Sequence, residues 1–217
     1  MLTIYGFPTS PFVRKVLVVA EEKGLAYELV PATPHRPTPE FLAVSPFRMM
    51  PAMEDDGFAL ADSTAIAMYL DAKHPAPPLL PADPRARGRA MMFDEFADTL
   101  LADNARAIGF NRHIGPVLLG VEGNAAAADA AVAKAGPLLD WLEEQAGNDW
   151  LAGDFSLADI AVACALRTMA YGMDVATRPR TAAWLERVHA RQGWREIAKR
   201  EAQMFDAAAA SGEHRAV

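Results

Sequence analysis

The stretch SPFRMMPAMEDDGFALADSTAIAMYL, Ser45 to Leu70, organises the first part of this chain. Asp56-Gly57 predicts a tight hairpin turn between two short strands, because such turns require the positive φ angles that this pair adopts readily. Met50-Pro51 precedes the hairpin, and the sequence permits a cis bond there without requiring it. Asp62-Ser63 follows at the start of an apolar helix pattern. We expect the stretch to hold a small peptide-like ligand, with its middle on the Met50 backbone and its charged end on the helix start.

The residues before this stretch predict a strand, a helix and a second strand. Met1 to Gly6 alternates as a short strand does, and Tyr27 to Val30 predicts another. Between them, Ser10 suits a helix N-cap, Pro11 suits the first helical position and Gly24 suits the residue after the helix. Two parallel strands joined by a helix are therefore expected, with a right-handed crossover.

The first domain is predicted over residues 1–76, with the element order β-α-β-α-β-β-α. The remaining elements are a short helix from Pro39 to Val44, strands near Ala52 to Glu54 and Phe58 to Leu60, and a helix that begins at Asp62 or Ser63, turns Ile66, Tyr69 and Leu70 inward and ends at His74-Pro75. A proline-rich linker follows over residues 77–84, and its composition indicates a semi-rigid spacer.

Residues 85–217 predict an all-helical second domain. The expected helices run from Arg85 to about Ile108, from Asn124 to Ala146 with a bend at Gly136-Pro137, from Ser156 to Tyr171, from Arg178 to about Arg191 and from Trp194 to Ala210, before a frayed tail SGEHRAV. Ser156 and Asp159 have the spacing of a capping box. We interpret Asp159 as a folding element and not as a catalytic acid.

Composition excludes several classes of protein. The formal charge is -7, from 21 basic and 28 acidic side chains, which argues against a nucleic-acid binder. No apolar run is long enough for a membrane span, and the first residues do not resemble a signal peptide. The single cysteine, Cys164, lies on an inward helix pattern and excludes an intramolecular disulfide. The five histidines are scattered, so we expect no metal site. We expect a soluble cytoplasmic protein.

The motifs, taken in order, resemble those of cytosolic glutathione transferases over nearly the full length. The resemblance is carried by HRPTPEFLAVSPFRMMPAMEDDGFALADSTAIAMYL, His35 to Leu70, and by SLAD, Ser156 to Asp159. The first domain is similar to the plant phi and bacterial phi-like classes, while TSPFVRKV also resembles the tau and omega classes. The resemblance implies a thioredoxin-like first domain that binds glutathione as a co-substrate, with no permanent cofactor. It also implies a homodimer.

The resemblance assigns a role to individual residues. Ser10 falls on the catalytic hydroxyl position, with Thr9 in reserve. His35 and Arg36 fall on the pair that meets the glycine carboxylate of glutathione. The remaining glutathione-binding positions are Met50 with Pro51, whose backbone pairs with the cysteinyl unit, and Asp62 with Ser63, which hold the γ-glutamyl end.

The second substrate is expected between the first domain and the second. The expected neighbours of the electrophile are Phe7, Phe12, Asn104, Ile108, Phe110 and Asn111. Asp103 is a candidate contact to the glutathione of a partner subunit. Two positions depart from the family: Met49 stands where a glutamine gives an amide contact, and Asp62 is one methylene shorter than the usual glutamate.

The chemistry follows from the ionisation of the ligand's thiol. A thiol with a pKa near 8.5 is only a few per cent thiolate at neutral pH. A Ser10 hydroxyl that donates to the sulfur favours the charged form, and the helix start adds positive potential. Ser10 and Asp62-Ser63 also suit plain helix caps, and His35 and Arg36 suit solvated surface charges. The alternatives to transfer are a non-catalytic binding module and glutathione-dependent isomerase, dehalogenase or peroxidase activity.

Overall fold

In the computed structural model, which describes residues 1–147 and 149–211, four strands form one sheet. The strands are β1 (Leu2–Tyr5), β2 (Tyr27–Val30), β3 (Ala52–Asp55) and β4 (Phe58–Ala61). Their order in the sheet is β2-β1-β3-β4, with β1 and β2 parallel and the other two pairs antiparallel. The predicted parallel pair and the predicted hairpin are both confirmed.

Three helices complete the first domain. They are α1 (Pro11–Glu22), α2 (Pro39–Val44) and α3 (Ser63–Lys73). Ser10 is the N-cap of α1, and Asp62 is the N-cap of α3. Tyr69 differs from the prediction, because it is only half-buried and not fully inward. Its hydroxyl donates to Asp55 Oδ2 at 2.9 Å, which keeps the ring at the edge of the core.

The second domain is helical, as predicted. Its regular helices are α4 (Pro84–Glu95), α5 (Ala102–Gly109), α6 (Ala125–Gln145), α7 (Leu157–Met169), α8 (Pro179–His189) and α9 (Gln192–Ser211). Two π-helical segments, Phe96–Leu101 and Phe110–Leu119, join α4 to α5 and extend α5. Helical backbone therefore continues past Ile108, where the sequence predicted an end.

Gly109, at the end of α5, packs closely against α7. A Cβ atom at this position would lie 2.2 Å from the backbone carbonyl oxygen of Thr168. The glycine is therefore required for close packing of α5 on α7 and is not a helix terminator. The left-handed residue that ends this helical run is Gly120, with φ 63°.

Helix α7 is the centre of the second domain, and its start confirms the predicted capping box. The backbone N–H of Ser156 donates to Asp159 Oδ2 at 3.0 Å. Asp159 is completely buried, and its Oδ1 also accepts from the indole Nε1–H of Trp184 at 2.8 Å. These contacts support the interpretation of Asp159 as a folding element. Cys164 is buried on the same helix, as predicted.

The proline-rich segment is fixed to both domains. Lys23 Nζ donates to the carbonyl oxygens of His74 and Pro77 at 2.7 and 2.8 Å. Leu79 is 2% exposed, and its carbonyl oxygen accepts from the backbone N–H of Leu157 at 2.8 Å. The segment is thus anchored by hydrogen bonds and burial, beyond the stiffness that its prolines supply.

Two further predictions concern the C-terminal tail and the absence of a membrane span. The predicted frayed tail lies outside the described residues, apart from the backbone of Ser211. In residues 1–147 and 149–211, no helix combines the length and apolar character needed to cross a membrane.

Candidate functional site

The sheet register brings the predicted site residues to one edge. β1 ends at Tyr5, which lies beside Val30 of β2 on one side and Ala52 of β3 on the other. Ala52 in turn pairs with Ala61, the last residue of β4. The segments that carry Ser10, His35-Arg36 and Asp62-Ser63 leave the sheet at this edge, and the segment that carries Met50-Pro51 enters it there.

Ser10 lies where the chain turns from β1 into α1. Gly6 allows the close approach of strand and helix, because a Cβ atom there would lie 2.5 Å from Val13 Cγ2. The Ser10 Oγ accepts from the backbone N–H of Val13 at 3.5 Å, a long contact for a helix cap. Since the hydroxyl only accepts in this contact, its proton is available to a ligand. Thr9 is half-buried beside it.

Met50-Pro51 is a cis peptide bond, which the sequence permitted without requiring it. The ladder between β1 and β3 ends at Ala52, so Met50 lies just beyond the paired part of the sheet. Ser45 fixes the preceding turn, because its hydroxyl accepts from the Met49 N–H at 3.0 Å and donates to the Met49 carbonyl at 2.7 Å. The Met49 side chain is 59% exposed.

Asp62-Ser63 forms the start of α3. Asp62 is exposed and has φ 87°, and its Oδ1 caps the helix by accepting from the Ala65 N–H at 2.9 Å. Ser63 is 3% exposed, and its hydroxyl lies 3.5 Å from Asp98 Oδ2. The capping role is therefore real, and among the described residues it occupies only one of the two Asp62 oxygens.

His35 and Arg36 lie in the loop after β2, at the same edge. Both side chains are exposed. The His35 backbone N–H donates to Thr33 Oγ1 at 3.3 Å, which turns the loop locally. The position suits the far end of an extended ligand whose other end lies at α3.

The residues predicted around the electrophile fall into two groups. Phe7 and Phe12 are half-buried near Ser10, and Phe110 is 36% exposed. Ile108 is completely buried in the main core, which makes it a packing residue in this structure. Two amides bind their own helical run. Nδ2 of Asn104 donates to the Leu100 carbonyl at 2.9 Å, and Nδ2 of Asn111 donates to the Ala107 carbonyl at 2.8 Å.

Asp103, the predicted contact to a partner subunit, is exposed on α5. Its Oδ1 accepts from Arg106 Nη2 at 2.9 Å, one helical turn away. Both side chains are more than two-thirds exposed, so this pair adds little to stability. The carboxylate remains accessible from outside the chain.

Sequence reasoning missed two buried cations in α1. Lys15 is 1% exposed and donates to Asp94 at 2.8 Å, to Asp98 at 2.6 Å and to Thr64 at 2.9 Å. Burial raises the pKa of Asp98, and Lys15 partly opposes that rise. Arg14, its neighbour, is equally buried. The signal was present, because Arg14-Lys15 interrupts an otherwise apolar helix.

A groove of about 530 Å³ lies away from this edge, at the far end of α1. Its lining includes Glu22, Trp150, Arg191 and Gly193. The charges there are already paired, since Arg191 Nη2 donates to Glu22 Oε2 at 2.5 Å and the Gly193 N–H donates to Glu22 Oε1 at 3.2 Å. The sheet edge, with its accessible hydroxyl and helix starts, is the better candidate site.

Comparison with known families matches both domains. Residues 4–78 match the model of the glutathione S-transferase N-terminal domain. Residues 125–187 match the model of the glutathione S-transferase C-terminal domain. The first match runs from within β1 to beyond α3 and so includes all the residues of the candidate site.

Individual relatives agree over nearly the whole chain. Glutathione S-transferase 3 of Zea mays is 34% identical over 208 residues, which cover 93% of this chain and 90% of the relative. The solved structure of glutathione S-transferase III in its apo form has a TM-score of 0.80 at 32% identity, covering 91% of this chain and 95% of that one. Glutathione S-transferase-I bound with lactoylglutathione has a TM-score of 0.79 at 25% identity, covering 91% and 98%.

Proposed function

The chain belongs to the glutathione S-transferase family, and on that premise we propose that it binds glutathione at this sheet edge and transfers its sulfur to a small hydrophobic electrophile. The observation that carries the proposal is the convergence at one edge of Ser10, Met50-Pro51 and Asp62-Ser63. These three features supply a donor for the thiol, a free stretch of backbone and a charged helix start.

Ser10 acts on the sulfur as a hydrogen-bond donor. A hydroxyl is too weak a base to accept the thiol proton, which leaves to solvent, but its O–H stabilises the thiolate that remains. The start of α1 adds positive potential worth about 0.3–1 kcal/mol. The thiolate then attacks the electrophilic carbon, a C–S bond forms, and the leaving group departs with its electron pair.

The two ends of glutathione are held by charge. The γ-glutamyl carboxylate accepts from the backbone N–H groups and the hydroxyl at the start of α3, where Ser63 lies. The free oxygen of Asp62 pairs with the ammonium group. His35 and Arg36 meet the glycine carboxylate, and the backbone of Met50 pairs with the cysteinyl unit between the two ends.

The electrophile lies against Phe7 and Phe12, on the side of the second domain. A hydrophobic substrate matches these half-buried aromatic rings, with Phe110 as a more distant wall. The apolar character of these rings suits small hydrophobic electrophiles, and we extend the proposal to their detoxification as the role of the protein.

The acting species is a homodimer in the cytoplasm. Large apolar side chains are exposed on the loop after α2, on β4, on α3, on α4 and on the first π-helical segment: Phe47, Met49, Phe58, Met68, Met92 and Leu100. Exposure of this kind is typical of an interaction surface. Asp103 lies further along the same helical run and points outward, where it suits a contact with the partner's glutathione.

One experiment tests the proposal in two steps. The protein is applied to immobilised glutathione, and the eluted protein is then assayed with a chloronitroaromatic electrophile. We expect both retention and turnover. Retention without turnover supports the non-catalytic binding module, and the absence of both contradicts the proposed function.

A substitution at Ser10 tests which side chain donates to the thiolate. Ser10→Ala is expected to keep glutathione binding and to lose about 10–100-fold in kcat, because one hydrogen bond to a charged group is worth about 1.5–3 kcal/mol. Thr9→Val is the matched control and is expected to retain most turnover. The opposite pattern, with turnover lost only in Thr9→Val, moves the role to Thr9.

A further inference from the structure

A buried guanidinium connects the second domain to the loop that carries Ser10. Arg14 is 1% exposed, and its Nε donates to the carboxylate of Glu201 in α9. Its Nη1 donates to the Cys164 carbonyl at 2.8 Å and to Thr168 Oγ1 at 2.9 Å, both in α7. Its Nη2 donates to the Thr9 carbonyl at 3.3 Å.

The Thr9 carbonyl is held from two sides. Besides the bond from Arg14, it lies 3.3 Å from Thr168 Oγ1, which can donate to it. This carbonyl belongs to the same peptide unit as the Ser10 N–H, which donates to the Phe7 carbonyl at 3.0 Å. Both faces of the Thr9–Ser10 peptide are thus fixed, and with them the direction of the Ser10 side chain.

Three groups of this network, Arg14, Cys164 and Tyr171, have pKa values raised in the folded protein. Burial opposes the charge on Arg14, but Glu201 outweighs it and raises the pKa of the guanidinium. Burial also raises the pKa of Cys164 and of Tyr171 to about 12. Glu201 is satisfied further by Arg167 Nε at 3.0 Å and the Tyr171 hydroxyl at 2.8 Å.

We propose that Arg14 and Thr168 are positioning residues, which hold the Thr9 carbonyl and thereby aim the Ser10 hydroxyl and the first turn of α1 at the sulfur of glutathione. The inference rests on the proposed function. Neither side chain touches the substrate. Their effect arises because a hydrogen bond weakens steeply when donor and acceptor are misaligned, and the thiolate depends on that bond more than the neutral thiol does.

Thr168 offers the cleaner test, because valine has nearly the shape of threonine without its hydroxyl. Thr168→Val removes the contact to Thr9, and Thr168→Ser is the matched control that keeps it. The pKa of bound glutathione is measured from the ultraviolet absorbance of its thiolate against pH. Steady-state kinetics and the melting temperature are measured on the same proteins.

We expect Thr168→Val to raise the pKa of the bound thiol by about 0.5 and to lower kcat below that pKa by about threefold, since each pH unit is a tenfold change in ionisation. The KM for glutathione should stay within about twofold, and Thr168→Ser should restore both values. Arg14→Lys is the second variant. A lysine keeps the charge opposite Glu201 but lacks the planar fork that reaches Thr9 and Thr168 together. Arg14→Lys should therefore also raise the pKa of the bound thiol.

The same measurements separate a failure of the positioning role from a failure of the proposed function. A wild-type protein that binds no glutathione thiolate contradicts the proposed function. A wild-type thiolate whose pKa and turnover are unchanged in both Thr168→Val and Arg14→Lys overturns the positioning role alone, even when the variants melt at lower temperature.

Discussion

The starts of α3 and α7 use the same two residue types and differ in what surrounds them. At α7, Asp159 is completely buried and accepts hydrogen bonds from Leu151, Ser156 and Trp184. At α3, Asp62 is exposed and caps the helix through one oxygen. Burial raises the pKa of Asp159, with its hydrogen bonds opposing the rise.

This difference separates a structural helix start from a binding one. The carboxylate of α7 has its hydrogen-bonding capacity filled by the chain itself, so no ligand has access to it. The carboxylate of α3 keeps an accessible oxygen beside an N-terminus that favours negative charge. Residue identity is similar at the two sites, and the neighbours determine the role.

The largest expected effect is at α7. Asp159→Ala leaves three donors without their acceptor, and each buried unsatisfied group costs about 1–3 kcal/mol. We expect a loss of about 3–5 kcal/mol in the free energy of unfolding, measured by denaturant titration. Asp62→Ala is the matched control and should lose only about 1 kcal/mol, as exposed caps do. Equal losses at the two sites would remove the distinction.

The second largest expected effect is on glutathione binding at the start of α3. Ser63→Ala is expected to weaken glutathione binding about tenfold, which corresponds to about 1.4 kcal/mol, because the ligand carboxylate loses a hydroxyl donor. Calorimetric titration measures this affinity. Ser156→Ala, at the start of α7, should reduce stability and leave the affinity unchanged. An unaltered affinity in Ser63→Ala would make α3 a plain helix start as well.

The start of α8 makes the stability of the protein depend on pH. Glu143 of α6 caps α8 by accepting from the backbone N–H groups of Arg180 and Thr181 at 3.0 and 2.8 Å. Burial raises the pKa of Glu143, but these bonds outweigh it and lower the pKa from 4.5 to about 2. Its stabilisation is therefore complete above pH 4.5 and is lost as pH falls toward 2.

Glu143→Gln removes that dependence. We expect the variant to lose less stability than the wild type between pH 5 and about pH 3, a difference of about 1 kcal/mol typical of one cap. Thermal unfolding followed by circular dichroism across this range measures it. Parallel acid-unfolding curves for the two proteins would show that Glu143 does not contribute.

The smallest expected effect is at Cys164, inside α7. The thiol is 1% exposed, and burial raises its pKa to about 12. We expect no reaction with a coloured disulfide reagent in the native protein at neutral pH, and one thiol per chain after denaturation, because the thiolate is the reactive form. Rapid native labelling would show that α7 opens readily.

The sequence predicted elements well where local chemistry decides them. Ser10-Pro11, Asp56-Gly57 and the Ser156 capping box each carry a local signal, and the structure confirms all three. The sequence did not predict the strand order β2-β1-β3-β4, which brings the loops of the candidate site to one edge. The helix predicted to end near Ile108 continues, and Gly109 in that run packs against Thr168, a residue on another helix that no local pattern identifies.

The interface between the domains was not predicted. Arg14 and Lys15 gave a visible signal within an apolar helix, but their partners lie on α4, α7 and α9. Pattern within one helix does not identify a carboxylate 187 residues away. The positioning contacts on Thr9 were hidden for the same reason.

The buried pair of Arg14 and Glu201 sets an order of events during synthesis. Arg14 leaves the ribosome 187 residues before its carboxylate does. At about 5–20 residues per second, the delay is about 10–40 s. An unpaired guanidinium is too costly to bury in that interval, so α1 keeps a hydrated face until α9 emerges. The loop that carries Ser10 therefore takes its final form only after α9 has been synthesised.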